Sequence, residues 1–250
     1  MTRTPSPPRE RLPDGECHVW VVHVDEALAQ GEDRHRSWLT QEEIQHLRRY
    51  RFERHRREHF VTRILARAAL SRYSGVPPEQ WVFGAGPHGK PHVTSPEVAL
   101  AFSLANTDGL VVCAVAAGGD LGVDVEPLLG RGDPLELAES TFSPDEVAAL
   151  RATPAADRRG RFVALWTLKE AYLKARGLGL ALAPNRFSVA LEGRSDARIS
   201  FDPAVQDHTS RWQLVPITTV PGYQLAVALS RDETGERRVH VRTTPTLDIF

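Results

Sequence analysis

The residues able to do chemistry concentrate in three short stretches. In Leu121–Glu126 (LGVDVE), strand alternation places Leu121, Val123 and Val125 on one face and Asp124 and Glu126 on the other. Two carboxylates on one face repel each other unless water or a cation lies between them. Such oxygen ligands suit Mg²⁺, which takes one or two carboxylates and fills its octahedron with water and phosphate oxygens. The same pattern also describes a solvated strand face. In Phe162–Ala175 (FVALWTLKEAYLKA), Glu170 and Lys174 stand four apart on one side of a helix anchored by Phe162, Leu165, Trp166, Leu168, Tyr172 and Leu173. They read either as an exposed salt bridge or, if turned toward Asp124 and Glu126, as a third carboxylate and an amine at an anion site. Lys90 lies in Gly84–Pro91 (GAGPHGKP), where glycines let backbone N–H groups approach an anion and the ammonium adds a point charge. Pro91 follows it where a Walker loop needs Ser or Thr, so a plain turn is the competing reading. Of 31 basic residues 28 are arginine; the lysines are Lys90, Lys169 and Lys174. The two cations differ in shape and hydration, so this scarcity points to places where a compact ammonium is retained.

These residues need a frame. Residues 1–15 read as a disordered lead-in with Pro5, Pro7, Pro8 and Pro13. His18–Val24 reads as a strand. Thr40-Gln41-Glu42-Glu43 resembles a capping box opening a helix through about Tyr50. A second helix, about Arg54–Tyr73, carries the stripe Phe60, Ile64, Leu65, Ala68 and Leu70 and ends near Gly75-Val76-Pro77-Pro78. The basic run Arg48–His59 is either a solvated face or a phosphate-facing one. Trp81–Phe83, Leu100–Leu104, Leu110–Ala116 and Leu121–Glu126 read as strands. The turns at Asp108-Gly109 and Gly118-Gly119-Asp120 suggest an antiparallel meander. A Gly/Pro-rich connector spans Pro127–Pro134, followed by helical segments near 135–140 and 144–151 and the helix Phe162–Ala175, stopped at Gly177. Short strands follow at Phe187–Leu191, Ile199–Phe201, Trp212–Pro216 and Tyr223–Leu229, and the ending is polar. Each half thus mixes helices and short strands, which predicts two α+β subdomains, 16–117 and 118–250.

Composition narrows the function. The 250 residues are 41% hydrophobic and 25% charged, enough for a packed core. A net charge of −1 argues against a general nucleic-acid binder. No apolar run approaches the ~18–20 residues that span a bilayer, and Met1–Glu10 lacks a signal-peptide core. Cys17 and Cys113 form no CxxC pair. A cytoplasmic protein that binds neither nucleic acid nor membrane is expected.

Taken together, four segments in this order resemble the Sfp-type 4′-phosphopantetheinyl transferases. They are Gly89-Lys90-Pro91; Phe102–Thr107 (FSLANT) running into LVVCAV; LGVDVE; and Phe162–Lys174 with its WTLKEAYLK core. Phe142-Ser143-Pro144-Asp145-Glu146 and Asn185–Val189 also fit, and the match spans roughly residues 40–230. The resemblance implies two similar α+β subdomains related by a pseudo-twofold axis, with coenzyme A between them. The implied enzyme moves the 4′-phosphopantetheine arm of coenzyme A onto a serine of an apo acyl or peptidyl carrier protein and releases adenosine 3′,5′-bisphosphate. By position, Asp124, Glu126 and Glu170 would hold Mg²⁺, Lys174 would contact the pyrophosphate, and Lys90 and Pro91 the nucleotide end. Charge grows on pyrophosphate oxygens as the leaving group departs, which Mg²⁺ and Lys174 can stabilise. Glu170, directly or through a metal-bound water, is the base candidate for the serine hydroxyl. Asp124 and Glu126 are assigned to the metal first. Truncating Asp124 or Glu170 is expected to spare the fold, as exposed-face changes do.

The chain departs from the family in places. Ala105-Asn106 stands where many members carry Ser-His, so Asn106, with Thr107 beside it, would meet the 3′-phosphate without a charge. Glu43 and His46 occupy positions where the best-known member has phosphate-binding lysines, so those contacts do not transfer, and Arg63 is the substitute. The long two-subdomain form implies a monomer serving polyketide, nonribosomal peptide or fatty acid synthesis, with the carrier docking around Phe142–Leu150 and the connector 127–134. Two other readings are a Mg²⁺-dependent phosphate hydrolase using the same carboxylates, and a non-catalytic module binding coenzyme A or a carrier. The intact set Asp124, Glu126, Glu170 and Lys174 argues against the second.

Overall fold

The computed structural model describes residues 10–29, 31, 33–193, 196–231 and 235–249. In chain order the elements begin β1 (Glu16–His23), α1 (Val24–Leu28), α2 (Asp33–Arg36), α3 (Gln41–Leu47), α4 (Glu53–Ser74), β2 (Val82–Ala85), β3 (Pro91–Ser95), β4 (Ala101–Thr107) and β5 (Leu110–Ala116). They continue with β6 (Leu121–Pro127), α5 (Pro134–Thr141), α6 (Pro144–Ala152), α7 (Arg158–Arg176), β7 (Phe187–Glu192), β8 (Asp196–Phe201), β9 (Trp212–Ile217), β10 (Tyr223–Ser230) and β11 (Arg238–Thr243). The fold is mixed α+β in two compact units. The first holds the chain up to Gly86, Pro91–Gly118 and the residues from Arg238 on; the second holds Pro87–Lys90 and Gly119–Arg237.

In the first unit the sheet order is β11-β1-β5-β4. β1 runs parallel to β11 and antiparallel to β5, and β4 is antiparallel to β5. Helix α4 lies against β5 and β4. Its stripe Phe60, Ile64, Leu65 and Ala68 is buried with Trp20, Val22, Val111, Cys113 and Val115. The helical period and the strand period each present one apolar face, and the two faces meet. The capping box predicted at Thr40 is present: its Oγ accepts from Glu43 N at 3.2 Å and Glu43 Oε2 accepts from Thr40 N at 2.9 Å. Residues 1–9 of the expected lead-in lie outside the described residues. Glu10 and Leu12 are packed: Glu10 N donates to Arg72 O at 2.9 Å and Leu12 is buried.

The second unit has the antiparallel order β6-β10-β9-β8-β7, with α7 against β6 and β10. Leu165, Leu168 and Tyr172 of α7 share its core with Phe187, Trp212, Ala226 and Ala228.

Three expectations need revision. FSLANT is strand throughout, because β4 pairs with β5 as far as Thr107↔Leu110 and only Asp108-Gly109 turns, with Gly109 at φ 78°. β6 does not continue a meander from β5. Gly118 and Gly119, at φ 66° and 79°, turn the chain in a way L side chains resist, and β6 pairs with β10 in the other sheet. The polar ending contains β11, whose Arg238, His240 and Arg242 alternate with Val239 and Val241. That alternation marks a strand with one polar side, and its parallel pairing places residues 238–249 in the first unit, not the second as the expected span 118–250 had it.

Candidate active site

The carboxylate strand and the Glu/Lys helix do pack together. α7 lies over the face of β6 formed by Gly122, Asp124 and Glu126. A Cβ on Gly122 would sit 1.9 Å from Ala171 O and 2.4 Å from Ala175 N, so only hydrogen there lets the helix approach this closely. Ala226 and Ala228, across from Asp124 and Gly122 on β10, keep the same surface shallow. The contacts then fall in register. Trp166 Nε1 donates to Glu126 Oε1 at 3.3 Å, and Lys174 Nζ donates to Asp124 Oδ1 at 2.7 Å. Four helical residues advance about 6 Å and two strand residues about 6.7 Å. Trp166, Glu170 and Lys174 therefore step along α7 as Glu126, Asp124 and Gly122 step back along β6. The helix ends at Gly177, φ 62°, where Leu178 N reaches Leu173 O across the αL turn.

This face is not solvated, which corrects the expectation for Asp124. Asp124 is 6% exposed, and its Oδ2 is buried without a hydrogen-bond partner. Burial raises its carboxyl above the ordinary range, against the pull of Lys174. Burial also raises Glu126, with Asp124 and Glu170 adding to the rise and Trp166 and Lys174 opposing it. Glu170 is raised by burial and then by Asp124, with Lys174 opposing. The three carboxylates are thus coupled, and Lys174 bonds Asp124 in place of the i,i+4 bridge to Glu170. A buried unpartnered Oδ2, with two further carboxylates that feel its charge, fits Mg²⁺ in chemical kind. They are not drawn into a closed cage: among the described residues, the set of three ligand atoms within 4.8 Å of one another is Glu16, His18 and His240.

The lysines have different fates. Lys90 Nζ donates to Leu121 O at 3.1 Å and Ala175 O at 2.8 Å, bracing the start of β6 against the end of α7. One of its three protons is left for a ligand. Lys169 is 0% exposed; its Nζ is 2.7 Å from both Glu146 oxygens and 2.6 Å from Phe187 O, and it lies over the Phe187 ring. Glu146 also accepts from Val189 N and from the Ser143 cap of α6, so this pair ties α6, α7 and β7 together. A lysine inside an apolar helical run was the available signal.

The other predicted site residues belong to the first unit. Arg63 is partly exposed, with Nε 3.4 Å from His59 Nε2 and 4.0 Å from Glu43 Oε1. Pro91 opens β3, Asn106 is exposed and Thr107 half-buried at the end of β4. Arg67, which the sequence reading passed over, is buried on Glu43 at 2.7 Å and on Trp38 O at 2.9 Å. An arginine inside the α4 stripe was its signal. Around the expected docking region, Phe142 is buried and stacks on Phe162 at 5.1 Å, while Leu129 is 88% exposed. Glu126, Pro127, Leu137, Phe162 and Trp166 line a groove of about 280 Å³, with Arg131 and Arg159 at its side.

Residues 120–228 match the family model described as the 4′-phosphopantetheinyl transferase superfamily, and residues 32–117 match 4′-phosphopantetheinyl transferase, N-terminal. Similar curated proteins include 4′-phosphopantetheinyl transferase HetI of Nostoc sp., 32% identical over 92% of this chain and 94% of its own length. 4′-Phosphopantetheinyl transferase Sfp of Bacillus subtilis is 26% identical over 86% and 93%. A phosphopantetheinyl transferase of Thraustochytrium sp. is 28% identical over 73% and 68%.

Proposed function

Because the chain belongs to the 4′-phosphopantetheinyl transferase superfamily, and so transfers 4′-phosphopantetheine to carrier proteins, we propose that the reaction runs on the coupled groups of β6 and α7. The observation that carries this reading is the buried, unpartnered Oδ2 of Asp124, beside Lys174 and coupled to Glu126 and Glu170. Asp124, Glu126 and Glu170 would hold Mg²⁺, which when bound supplies positive charge to the coenzyme A pyrophosphate as adenosine 3′,5′-bisphosphate leaves. The Lys174 ammonium, already aimed into the cluster by Asp124, supports a pyrophosphate oxygen in the same step. Glu170 takes the proton of the carrier serine. Lys90 keeps one donor for the nucleotide end; Pro91, Arg63, Asn106 and Thr107, on the first unit, are the nucleotide contacts that the family resemblance implies.

The carrier is assigned to the groove beside Glu126. Its apolar floor of Leu137, Phe162 and Trp166, flanked by Arg131 and Arg159, suits an apolar helix with acidic edges. That position delivers the serine next to the carboxylates. The pathway served is polyketide, nonribosomal peptide or fatty acid synthesis, with the enzyme a cytoplasmic monomer. Among the described residues no helix is long and apolar enough to cross a membrane.

The experiment is mass spectrometry of an apo carrier incubated with this protein, coenzyme A and Mg²⁺. A mass gain of one phosphopantetheine arm, lost on adding EDTA and lost in Asp124→Asn, is expected. Transfer that survives EDTA, or that runs at the wild-type rate in Asp124→Asn, overturns the assignment of these carboxylates.

A further inference from the structure

A second cluster of ligand-type side chains lies in the first unit, on the pair β1–β11. The parallel register sets His18 opposite His240 and Glu16 opposite Arg238. Glu16 and His18, two apart on β1, share a face, and His240 reaches the same point from the neighbouring strand. His18 Nε2 is 3.0 Å from Glu16 Oε2, and His240 Nε2 is 3.4 Å from that oxygen. All three ligand atoms lie within 4.8 Å of one another. Ligands held tetrahedrally at zinc distances of about 2.0–2.1 Å are about 3.3 Å apart, so the two separations are close to those of a bound ion.

From this geometry we propose that Glu16, His18 and His240 form a site for a divalent transition metal of the zinc class, clipping β11 to β1. Two imidazoles and a carboxylate are a zinc donor set, with water completing the tetrahedron. The site is graded from inside to outside: the His18 side chain is 2% exposed, Glu16 21% and His240 47%, which gives a fixed ligand and an entry path. The outer support is also present. His18 Nδ1 is 2.7 Å from Tyr73 Oη, which accepts from Trp20 Nε1 at 3.0 Å. Such contacts to the far ring nitrogen orient a ligating histidine.

The hydrogen-bond partners of His18 suit ligation by a neutral imidazole, with an oxygen at each ring nitrogen. Without metal, the neutral ring donates Nε2–H to Glu16 and accepts at Nδ1 from the Tyr73 hydroxyl. On metal binding, Nε2 releases its proton to solvent and its lone pair takes the ion, while Nδ1 takes up a proton from solvent and donates it to Tyr73 Oη, whose own hydroxyl rotates away. No net proton is lost from His18 or Tyr73 in this change of tautomer. Of the nearby cations, Arg242 is paired with Glu10 at 3.0 Å and stacked over Trp20, so its charge is partly balanced.

The test uses the full chain, stripped of metal and kept free of Mg²⁺. Zn²⁺ is titrated against a chromophoric chelator, and Co²⁺ is added separately while its visible absorption is read. One equivalent of Zn²⁺ and an intense tetrahedral-type Co²⁺ spectrum are expected. His240→Ala, at an exposed ring, should weaken that equivalent by about tenfold or more and abolish the spectrum, while transfer with Mg²⁺ and the circular dichroism stay as in the wild type. Glu16→Gln should also weaken binding while leaving His18 a hydrogen-bond acceptor. Asp124→Asn should leave the zinc equivalent untouched, which separates this site from the carboxylates of β6. Equal zinc binding by the wild type and His240→Ala, or a weak octahedral-type Co²⁺ spectrum, overturns the proposal.

Discussion

Replacing Gly122 by alanine asks whether the reaction depends on how closely α7 lies on β6. The added Cβ would stand 1.9 Å from Ala171 O, and both partners are backbone, so no side chain can swing aside. Reaching ordinary contact at about 3.4 Å requires the helix to retreat by about 1–1.5 Å, an overpacking strain of about 1–3 kcal/mol. In a chain of this size that lowers Tm by roughly 3–10 °C. The same shift carries Glu170 and Lys174 away from Asp124, and a misplacement of about 1 Å in a reacting constellation costs about 10²-fold in rate. The assay is steady-state transfer to an apo carrier at saturating coenzyme A and Mg²⁺, at a temperature where circular dichroism shows the variant folded. Gly160→Ala is the control. It lies on the exposed start of the same helix, with nothing within 4 Å of the new Cβ, and alanine there should stabilise by about 0.5–1 kcal/mol without altering kcat. A folded Gly122→Ala enzyme with kcat within about twofold of the wild type would refute the coupling of helix position to catalysis.

Asp124→Asn keeps the shape of a buried side chain, and an acceptor for Lys174, while removing a carboxylate that burial disfavours when ionised. Its Tm should hold while kcat falls by about 10²-fold or more, and the stabilisation that Mg²⁺ gives the wild type should vanish; a retained Mg²⁺-dependent Tm shift contradicts the ligand assignment. Lys169→Met strands Glu146 in the core and should cost about 3–5 kcal/mol in urea unfolding. Adding Glu146→Gln, which still accepts from Val189 N, should recover part of that loss; a single variant costing under about 1 kcal/mol would refute the structural role of the pair. His59 is pushed down to about 4 by burial, then by Arg63 and His46, with Glu43 opposing. Its folded form binds protons less readily than the unfolded chain, so its contribution is complete above the ordinary histidine pKa and lost as pH falls toward 4. Allowing for its partial solvent contact, this amounts to about 1–2 kcal/mol. His59→Gln should flatten the fall of stability over that window, and a slope identical to the wild type would count against it.

The elements that local pattern dictates were legible. The stripe of α4, the Thr40 capping box, the stop of α7 at Gly177 and the β4–β5 turn each depend on residues a few positions apart. Their physics is a backbone period or a cap, which a linear reading contains. Errors arose where a segment's partner is distant. LGVDVE has the same alternation whether the Asp124 face meets water or a helix, and the burial of Asp124 follows only from α7 crossing at Gly122. β11 alternates plainly, but its pairing with β1 joins residues more than 200 positions apart.

By itself, then, the chain determined which side chains could serve together: the carboxylate pair on one strand face, Glu170 and Lys174 on one helix face, and the motifs shared with the transferases. Tertiary structure decided how each is used. It gave Lys174 to Asp124 in place of Glu170, spent Lys169 on Glu146 and most of Lys90 on two carbonyls, and brought His240 to His18. The reason is physical: spacing fixes which face a group occupies, whereas desolvation and charge pairing depend on what the folded chain lays against that face.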